Sequence, residues 1–272
     1  WADAERARIG EERFRREHEC EFLIFDETLI SSITLADMEG NAPVETTGQV
    51  RWFKKPTPGM TYMVSLDPAM GTGGDFAAIQ VFELPTFEQV GEWHHNTTPM
   101  NQQIRILQGI NKHIYDTIME QDASASPQIF YSMENNTIGE AALLRVMDIG
   151  EENIQGMFLS EPIRKGHRRK FRRGFNTTAK FKIDACTKFK ELVEGGKMKI
   201  NSQLLISELK DFVASGLSFK AKPGQHDDLV SACLLMTRMM KVLADFDPKI
   251  FEKWTNRTSE LTPMPIFGSF TG

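Results

Sequence analysis

The spacing of apolar and polar positions changes period several times along the chain, and each change predicts an element. Thr61 to Leu66 is a continuous apolar, β-branched run of strand length. Phe76 to Leu84 reads as the returning strand and Phe87 to His95 as a third, so tight loops join three antiparallel strands into a meander. Phe82 and Val90 are expected to pack together across the second and third. Met100 to Glu120 carries Ile104, Leu107, Ile110, Ile114 and Ile118 at spacings of three and four, which predicts a long amphipathic helix. Gln128 to Met133 predicts a fourth strand. Thr137, with Glu140 three residues on, is the expected N-cap of a helix carrying Ala141, Leu143, Leu144 and Met147. Ile154 to Leu159 predicts a short strand. Thr178 to Gly195 predicts a helix closed by Gly195 and Gly196. Leu204 to Phe212 reads as helical and Leu217 to Phe219 as extended. Leu229 to Leu243 is apolar enough for a buried helix, with Asp227 available as its cap.

The ends of the chain are patterned differently. Ala2 to Glu21 is charge-dense and predicts a helix partly facing solvent, with Arg interleaved among Glu. Phe22 to Phe25 and Leu29 to Ile33 are short strand candidates. Gly40 to Pro58 is rich in Gly, Pro and Thr and reads as a connection. The expected organisation is therefore an N-terminal extension over 1–58, a compact domain over 59–245 and a tail over 246–272. A first residue of Trp1 rather than Met suggests a fragment of a longer chain. The order of three antiparallel strands, helix, strand, helix, strand and further helices predicts an α/β fold with a mixed central sheet flanked by helices.

Composition narrows the function classes. The 272 residues are 40% hydrophobic and 25% charged with a formal net charge of −5, so any contact with nucleic acid must rest on a local patch. The concentrated basic stretch is Arg164 to Arg173. Its Arg164, Lys165, Arg168, Arg169, Lys170, Arg172 and Arg173 are candidate phosphate contacts, with a solvated loop as the alternative. Arg145, Lys180 and Lys182 extend this patch. Nothing indicates base readout, so binding through the DNA backbone with weak sequence preference is expected. The three cysteines, Cys20, Cys186 and Cys233, have no metal-ligand spacing and read as reduced, buried thiols. No apolar run reaches membrane-spanning length and no signal peptide is visible, so no membrane partner is expected.

The candidate chemistry lies at strand ends. The first strand ends on Asp67, followed by Pro68 and a turn containing Gly71, Gly73 and Gly74; the fourth ends on Glu134. Taken singly, Asp67 reads as a turn residue capping its own backbone, Glu134 as a surface carboxylate and Asp227 or Asp228 as a helix cap. Taken together they read otherwise. A strand that follows a helical crossover lies parallel to an earlier one, which would set Asp67 and Glu134 side by side about 4.8 Å apart. Carboxylates so close repel unless a cation lies between them. Asp228, opening a helix packed on the sheet, would complete a hard, all-oxygen donor set suited to Mg²⁺ or Mn²⁺. Such a set matches two-metal phosphodiester hydrolysis, with ions about 3.5–4 Å apart.

The segment Ser65-Leu-Asp-Pro-Ala-Met-Gly-Thr-Gly-Gly-Asp-Phe76, the strand ending Tyr131-Ser-Met-Glu-Asn-Asn136 and His226-Asp-Asp-Leu-Val230 occur in this order. Together they resemble the nuclease domain of the large terminase of tailed bacteriophages, most nearly the T4-like branch, over roughly Tyr62 to Leu243. Ile9 to Phe14 and Glu19 to Phe22 resemble the segment joining the packaging ATPase to the nuclease. The resemblance implies a ribonuclease H-like fold and a metal-dependent endonuclease that cuts concatemeric viral double-stranded DNA during packaging. It implies Asp67, Glu134 and Asp228 as the catalytic, metal-binding triad, with Asp75, Asp227, His226 and His94 or His95 as accessory residues. The basic residue that the family carries inside the glycine turn is absent; Met70-Gly-Thr72 stands there. Implied partners are the packaging ATPase domain of the same full-length chain, the portal and the small terminase subunit, at the procapsid in the infected bacterial cytoplasm. The sequence holds no Gly-x-x-x-x-Gly-Lys-Ser/Thr loop, so this chain is expected not to hydrolyse ATP. Two rival readings are a DNA-binding or motor-docking module without catalysis, and an actin-like phosphotransferase. The second would need a further glycine-rich phosphate hairpin that the sequence lacks.

Overall fold

The structure, a computed structural model, describes residues 1–9, 14, 18, 27–162 and 173–246. Its centre is a seven-stranded mixed sheet in the order β1-β2-β5-β4-β3-β6-β7. The strands are β1 (Glu45–Thr47), β2 (Val50–Trp52), β3 (Thr61–Asp67), β4 (Ala77–Leu84), β5 (Glu88–His95), β6 (Gln128–Met133) and β7 (Met157–Phe158). As the hydrophobic runs predict, β3, β4 and β5 form an antiparallel meander, and β6 and β7 add on in parallel. The helices are α1 (Ala2–Ile9), α2 (Ser32–Asp37), α3 (Met100–Gln121), α4 (Thr137–Ile149), α5 (Ala179–Glu194), α6 (Gln203–Asp211) and α7 (Asp228–Phe246). A hairpin of β8 (Phe212–Ser215) and β9 (Ser218–Ala221) stands apart from the sheet.

Strand alternation divides the core into two layers. Tyr62, Val64 and Leu66 of β3 pack with Ile104, Leu107, Ile110, Ile114 and Ile118 of α3. Met63 of β3 and Ala78 and Phe82 of β4 pack on the opposite side with α5, α6 and α7. The central strands are buried on both faces, which explains why β3 and β4 read as continuous apolar runs rather than alternating ones.

Several expectations are corrected. Phe82 and Val90 do not pack together. A register shift between Val81 and Phe82 sets Phe82 opposite Gln89, and Val90 joins the α3 layer while Phe82 faces α7. The strand expected over Leu29 to Ile33 is instead a turn leading into α2, because the Ser31 hydroxyl accepts from the Thr34 amide and starts a helix. The cap of α4 is Asn136, not Thr137; the Asn136 side chain accepts from the amides of Ile138 and Gly139. The connection expected over 40–58 contributes β1 and β2, and β2 bonds to β5. Leu29, Ile30 and Leu35 are buried in the α7 layer, so packing continues across residue 58. Residues 22–25, expected as a strand, and the tail beyond 246 lie outside the described residues, as does Cys20. Cys186 and Cys233 are buried free thiols.

Candidate metal centre

Register brings two of the acids together. In the parallel β3–β6 pair, Ser65 lies opposite Ser132 and Leu66 opposite Met133, and the Glu134 amide donates to the Leu66 carbonyl at 3.0 Å. Asp67 and Glu134 are the next residues along. Alternation then fixes their side. Leu66 and Met133 belong to the α3 layer, so Asp67 and Glu134 belong with Ser65 and Ser132 on the α7 side. The Ser65 hydroxyl donates to the Ala232 carbonyl of α7 at 2.7 Å. Asp228, the first residue of α7, therefore starts beside this edge.

Electrostatics records the convergence. The Asp67 carboxyl is pushed well above the usual carboxylate range, first by desolvation, then by the charge and hydrogen bonding of Glu134, then by the charges of Asp228 and Asp227. Asp228 is pushed up to about 6 by burial first and the Asp227 charge next, opposed by His226 and by the Phe76 backbone amide. The exposed Asp75 adds a further upward push on Asp228. Asp228 Oδ2 is buried and, among the described residues, accepts no hydrogen bond; His226 Nδ1 lies 3.6 Å from it.

These observations fit a hard divalent ion. The donor set is carboxylate oxygen, its charges raise one another's proton affinity, and one buried oxygen lacks a partner. Among the described residues no group of three Asp, Glu, His or Cys side chains is already gathered into an ion-gripping cage. The terminal torsions of Asp and Glu are broad, so the carboxylates can turn toward an ion.

The loop after Asp67 is built to stay close. Gly71 adopts φ 73°, and a Cβ there would sit 2.3 Å from the Thr98 carbonyl oxygen, so only glycine fits. The buried Gln103 of α3 accepts from the Ala69 amide at 3.3 Å and donates to the Ala69 and Thr98 carbonyls at 2.7 and 2.8 Å. Met70, where the resembling family carries a basic residue, is 62% exposed. Beyond the turn, Phe76 stacks on His94 at 4.1 Å and meets His226 edge-on at 4.8 Å.

Alternation separates the two histidines. His94 faces Phe76 and the α7 layer, whereas His95 contacts the Thr98 hydroxyl at 2.6 Å and lies near Trp93. His94 Nε2 lies 3.7 Å from Glu208 Oε1 of α6. Burial holds His94 down at about 4 and pushes Glu208 up to about 9, so at neutral pH this is a contact between neutral groups rather than an ion pair. Sequence reasoning passed over Glu208. Its signal was a carboxylate on the apolar stripe of Leu205, Leu209 and Phe212, all fully buried.

Of the basic stretch, Arg173 is described; Arg164, Lys165, Arg168, Arg169, Lys170 and Arg172 lie outside the described residues. Arg173 pairs with Glu151 and lies 5.7 Å over the Phe158 ring, so its charge is engaged within the fold. Its carbonyl accepts from Asn135 Nδ2 at 2.7 Å, and the Asn135 amide donates to the Phe175 carbonyl at 2.7 Å, so the chain after the basic stretch runs beside Glu134. Arg238 of α7 bonds Glu161, the Asn176 carbonyl and the Thr177 hydroxyl, joining residues on either side of the stretch. Lys182 Nζ lies 3.7 Å from Asp227. Arg145 pairs with Asp148 at 2.8 Å.

A mixed sheet with this antiparallel meander, parallel additions and acids at one edge defines a ribonuclease H-like domain. Residues 64–239 match the family described as the terminase RNaseH-like domain, and the chain belongs to that family. Its fold is similar to the large terminase nuclease of thermophilic phage G20c with bound magnesium, at 16% identity and TM-score 0.57, over 79% of this chain and 97% of that one. It is similar to the large terminase nuclease domain of Thermus phage P74-26, at 17% identity and TM-score 0.53, over 75% of this chain and 91% of that one. It is also similar to the human cytomegalovirus terminase nuclease domain, manganese-soaked with an inhibitor bound, at 15% identity and TM-score 0.50, over 77% and 94% of the two chains. At these identities the structural likeness speaks for the fold. Family membership implies a metal-dependent nuclease of viral DNA packaging. Among the described residues no helix is long and apolar enough to cross a membrane.

Proposed function

We propose that this chain is an endonuclease that cuts concatemeric viral double-stranded DNA during genome packaging, with little sequence preference, and that Asp67, Glu134 and Asp228 hold its Mg²⁺ or Mn²⁺. One observation carries the reading: the parallel register of β3 and β6 sets Asp67 beside Glu134, and the Ser65 bond to Ala232 ties the same strand to α7, which begins at Asp228. Divalent ions held in such a set would supply Lewis acidity and an activated water for phosphodiester hydrolysis. The chain's own residues set the frame. Asp67 and Glu134 are held on neighbouring strands, and Asp228 approaches from the start of α7. Asp75 and Asp227 deepen the negative potential that draws a cation. His226 stands beside Asp228 at the half-exposed mouth. His94, held neutral, supports the Phe76 ring. Lys182, next to Asp227, offers a cation to a phosphate.

In this reading the basic stretch Arg164 to Arg173 holds the DNA backbone, supported by its charge density and by the position of Arg173 and Phe175 next to the Glu134 strand end. The partners are the packaging ATPase domain of the full-length chain, the portal and the small terminase subunit, at the procapsid in the host cytoplasm. Assignment to the T4-like branch rests on the three sequence motifs alone. The test is plasmid incubation with Mg²⁺. Cleavage that Asp67→Asn abolishes supports the nuclease; DNA retention without cutting at any divalent concentration would leave only a binding module.

A further inference from the structure

We propose that Glu208 is a positioning residue for the metal-binding acids: it fixes the first turn of α7, and with it Asp228, against the sheet edge. The proposal rests on the nuclease reading above. The first amides of a helix have no partner inside it. In α7, the Val230 amide donates to Glu208 Oε2 at 3.1 Å, a cap supplied by another helix. The Glu208 side chain is 10% exposed. A carboxyl is costly to bury there, where an apolar residue would continue the stripe of Leu205 and Leu209. Among its contacts are the Val230 amide, two residues after Asp228, and His94. Among the described residues His94 Nε2 is buried without a hydrogen-bond partner, and Glu208 Oε1 lies 3.7 Å from it. His94 stacks on Phe76, the Phe76 ring meets His226 edge-on, and His226 Nδ1 lies 3.6 Å from Asp228 Oδ2.

Glu208 is itself held from the sheet. Ser202 caps α6 by accepting from the Leu205 amide at 3.1 Å, and its hydroxyl donates to Glu92 Oε1 of β5 at 2.6 Å. Gln89 Oε1 of β5 accepts from the Asn201 and Ser202 amides at 2.9 and 2.8 Å. A line of bonds thus runs from β5 through α6 and Glu208 to the start of α7. The strand that carries His94 also sets where Asp228 begins.

The experiment compares Mn²⁺ binding by calorimetry, and Mn²⁺ dependence of plasmid cleavage, for the intact chain, Glu208→Ala and Glu208→Gln. The Gln amide oxygen still accepts from Val230, so that variant is expected to bind Mn²⁺ within about threefold of the parent. Glu208→Ala is expected to bind about 10-fold to 100-fold more weakly while remaining folded, as loss of a residue supporting a ligand does. A residue that only stabilises the fold would lower the melting temperature and leave Mn²⁺ affinity alone. A folded Glu208→Ala that binds Mn²⁺ like the parent therefore overturns the proposal while the nuclease reading stands. Should Glu208→Ala not fold, amide exchange of Val230 in the parent decides: slow exchange supports the cap and fast exchange overturns it. A parent chain that neither binds Mn²⁺ nor cuts overturns the nuclease reading, and this proposal with it.

Discussion

Ser65 and Ala232 share a hydrogen bond of 2.7 Å that ties the strand ending in Asp67 to the helix beginning at Asp228. Both residues are fully buried. Ser65→Ala removes the donor, at a cost of about 1 kcal/mol in stability, or roughly 2–4 °C in melting temperature. Divalent affinity should fall along with it, because the two acids lose a shared reference. Thermal melting with and without Mn²⁺ checks both effects. An unchanged response to Mn²⁺ would mean that this tie does not set the spacing.

Gly139 makes a prediction whose sign is diagnostic. It lies in α4, and a Cβ there would sit 1.9 Å from the Glu134 carbonyl oxygen. Replacing an interior helical glycine by alanine ordinarily stabilises by roughly 0.5–1 kcal/mol. Gly139→Ala should instead destabilise by about 1–3 kcal/mol, as overpacking does, and should weaken cleavage by shifting Glu134. Gly109 in α3 has nothing within 4 Å of the same position and is the control. Denaturant unfolding of the two variants should give opposite signs.

The candidate site is legible in the sequence where chemistry coincides with element ends. Asp67 and Glu134 sit where an apolar run stops and Asp228 where one begins, and the helical crossover between the first and fourth strands implies parallel pairing. Glu208 was not legible, because its partners, the Val230 amide and His94, are remote in sequence and meet it only through tertiary packing. β1 and β2 escaped for another reason. At three residues each they are too short for a periodic signal; β1 is exposed throughout and pairs with β2, and β2 pairs with β5. Phe82 and Val90 were mispaired because one bulge shifts side-chain parity, and no residue pattern announces it. The choice between His94 and His95 needed the register to decide which faces α7.

The raised carboxyls give a pH dependence with a definite sign. Asp228, at about 6, and Asp67, also raised, hold protons more tightly in the folded chain than in the unfolded one. Their contribution to stability is complete below the ordinary aspartate value of 3.8 and is lost as pH rises through about 6. A divalent ion takes the proton's place. The rise in melting temperature on adding Mn²⁺ should therefore be larger near pH ~8 than near pH ~5. His94, lowered to about 4, acts in the opposite sense, removing stability as pH falls below 6.5. Subtracting the metal-free curve removes that contribution. A stabilisation by Mn²⁺ independent of pH would contradict the shared-acid site.

Neutralising Arg168, Arg169 and Arg172 together should weaken DNA binding and reduce the salt slope, log affinity against log salt, by about 2–3. Arg173 is best left intact in that test, because its pairing with Glu151 would add a structural effect. Filter binding over a range of salt reads the slope. A slope equal to the parent's removes this stretch from the DNA path.

The central claim is that Asp67, Glu134 and Asp228 share divalent ions, and anomalous diffraction from crystals soaked in Mn²⁺ tests it most directly. The expected result is anomalous density between these three side chains, absent from crystals of Asp67→Asn. Density elsewhere on the chain, with none between the three acids at saturating Mn²⁺, would contradict it.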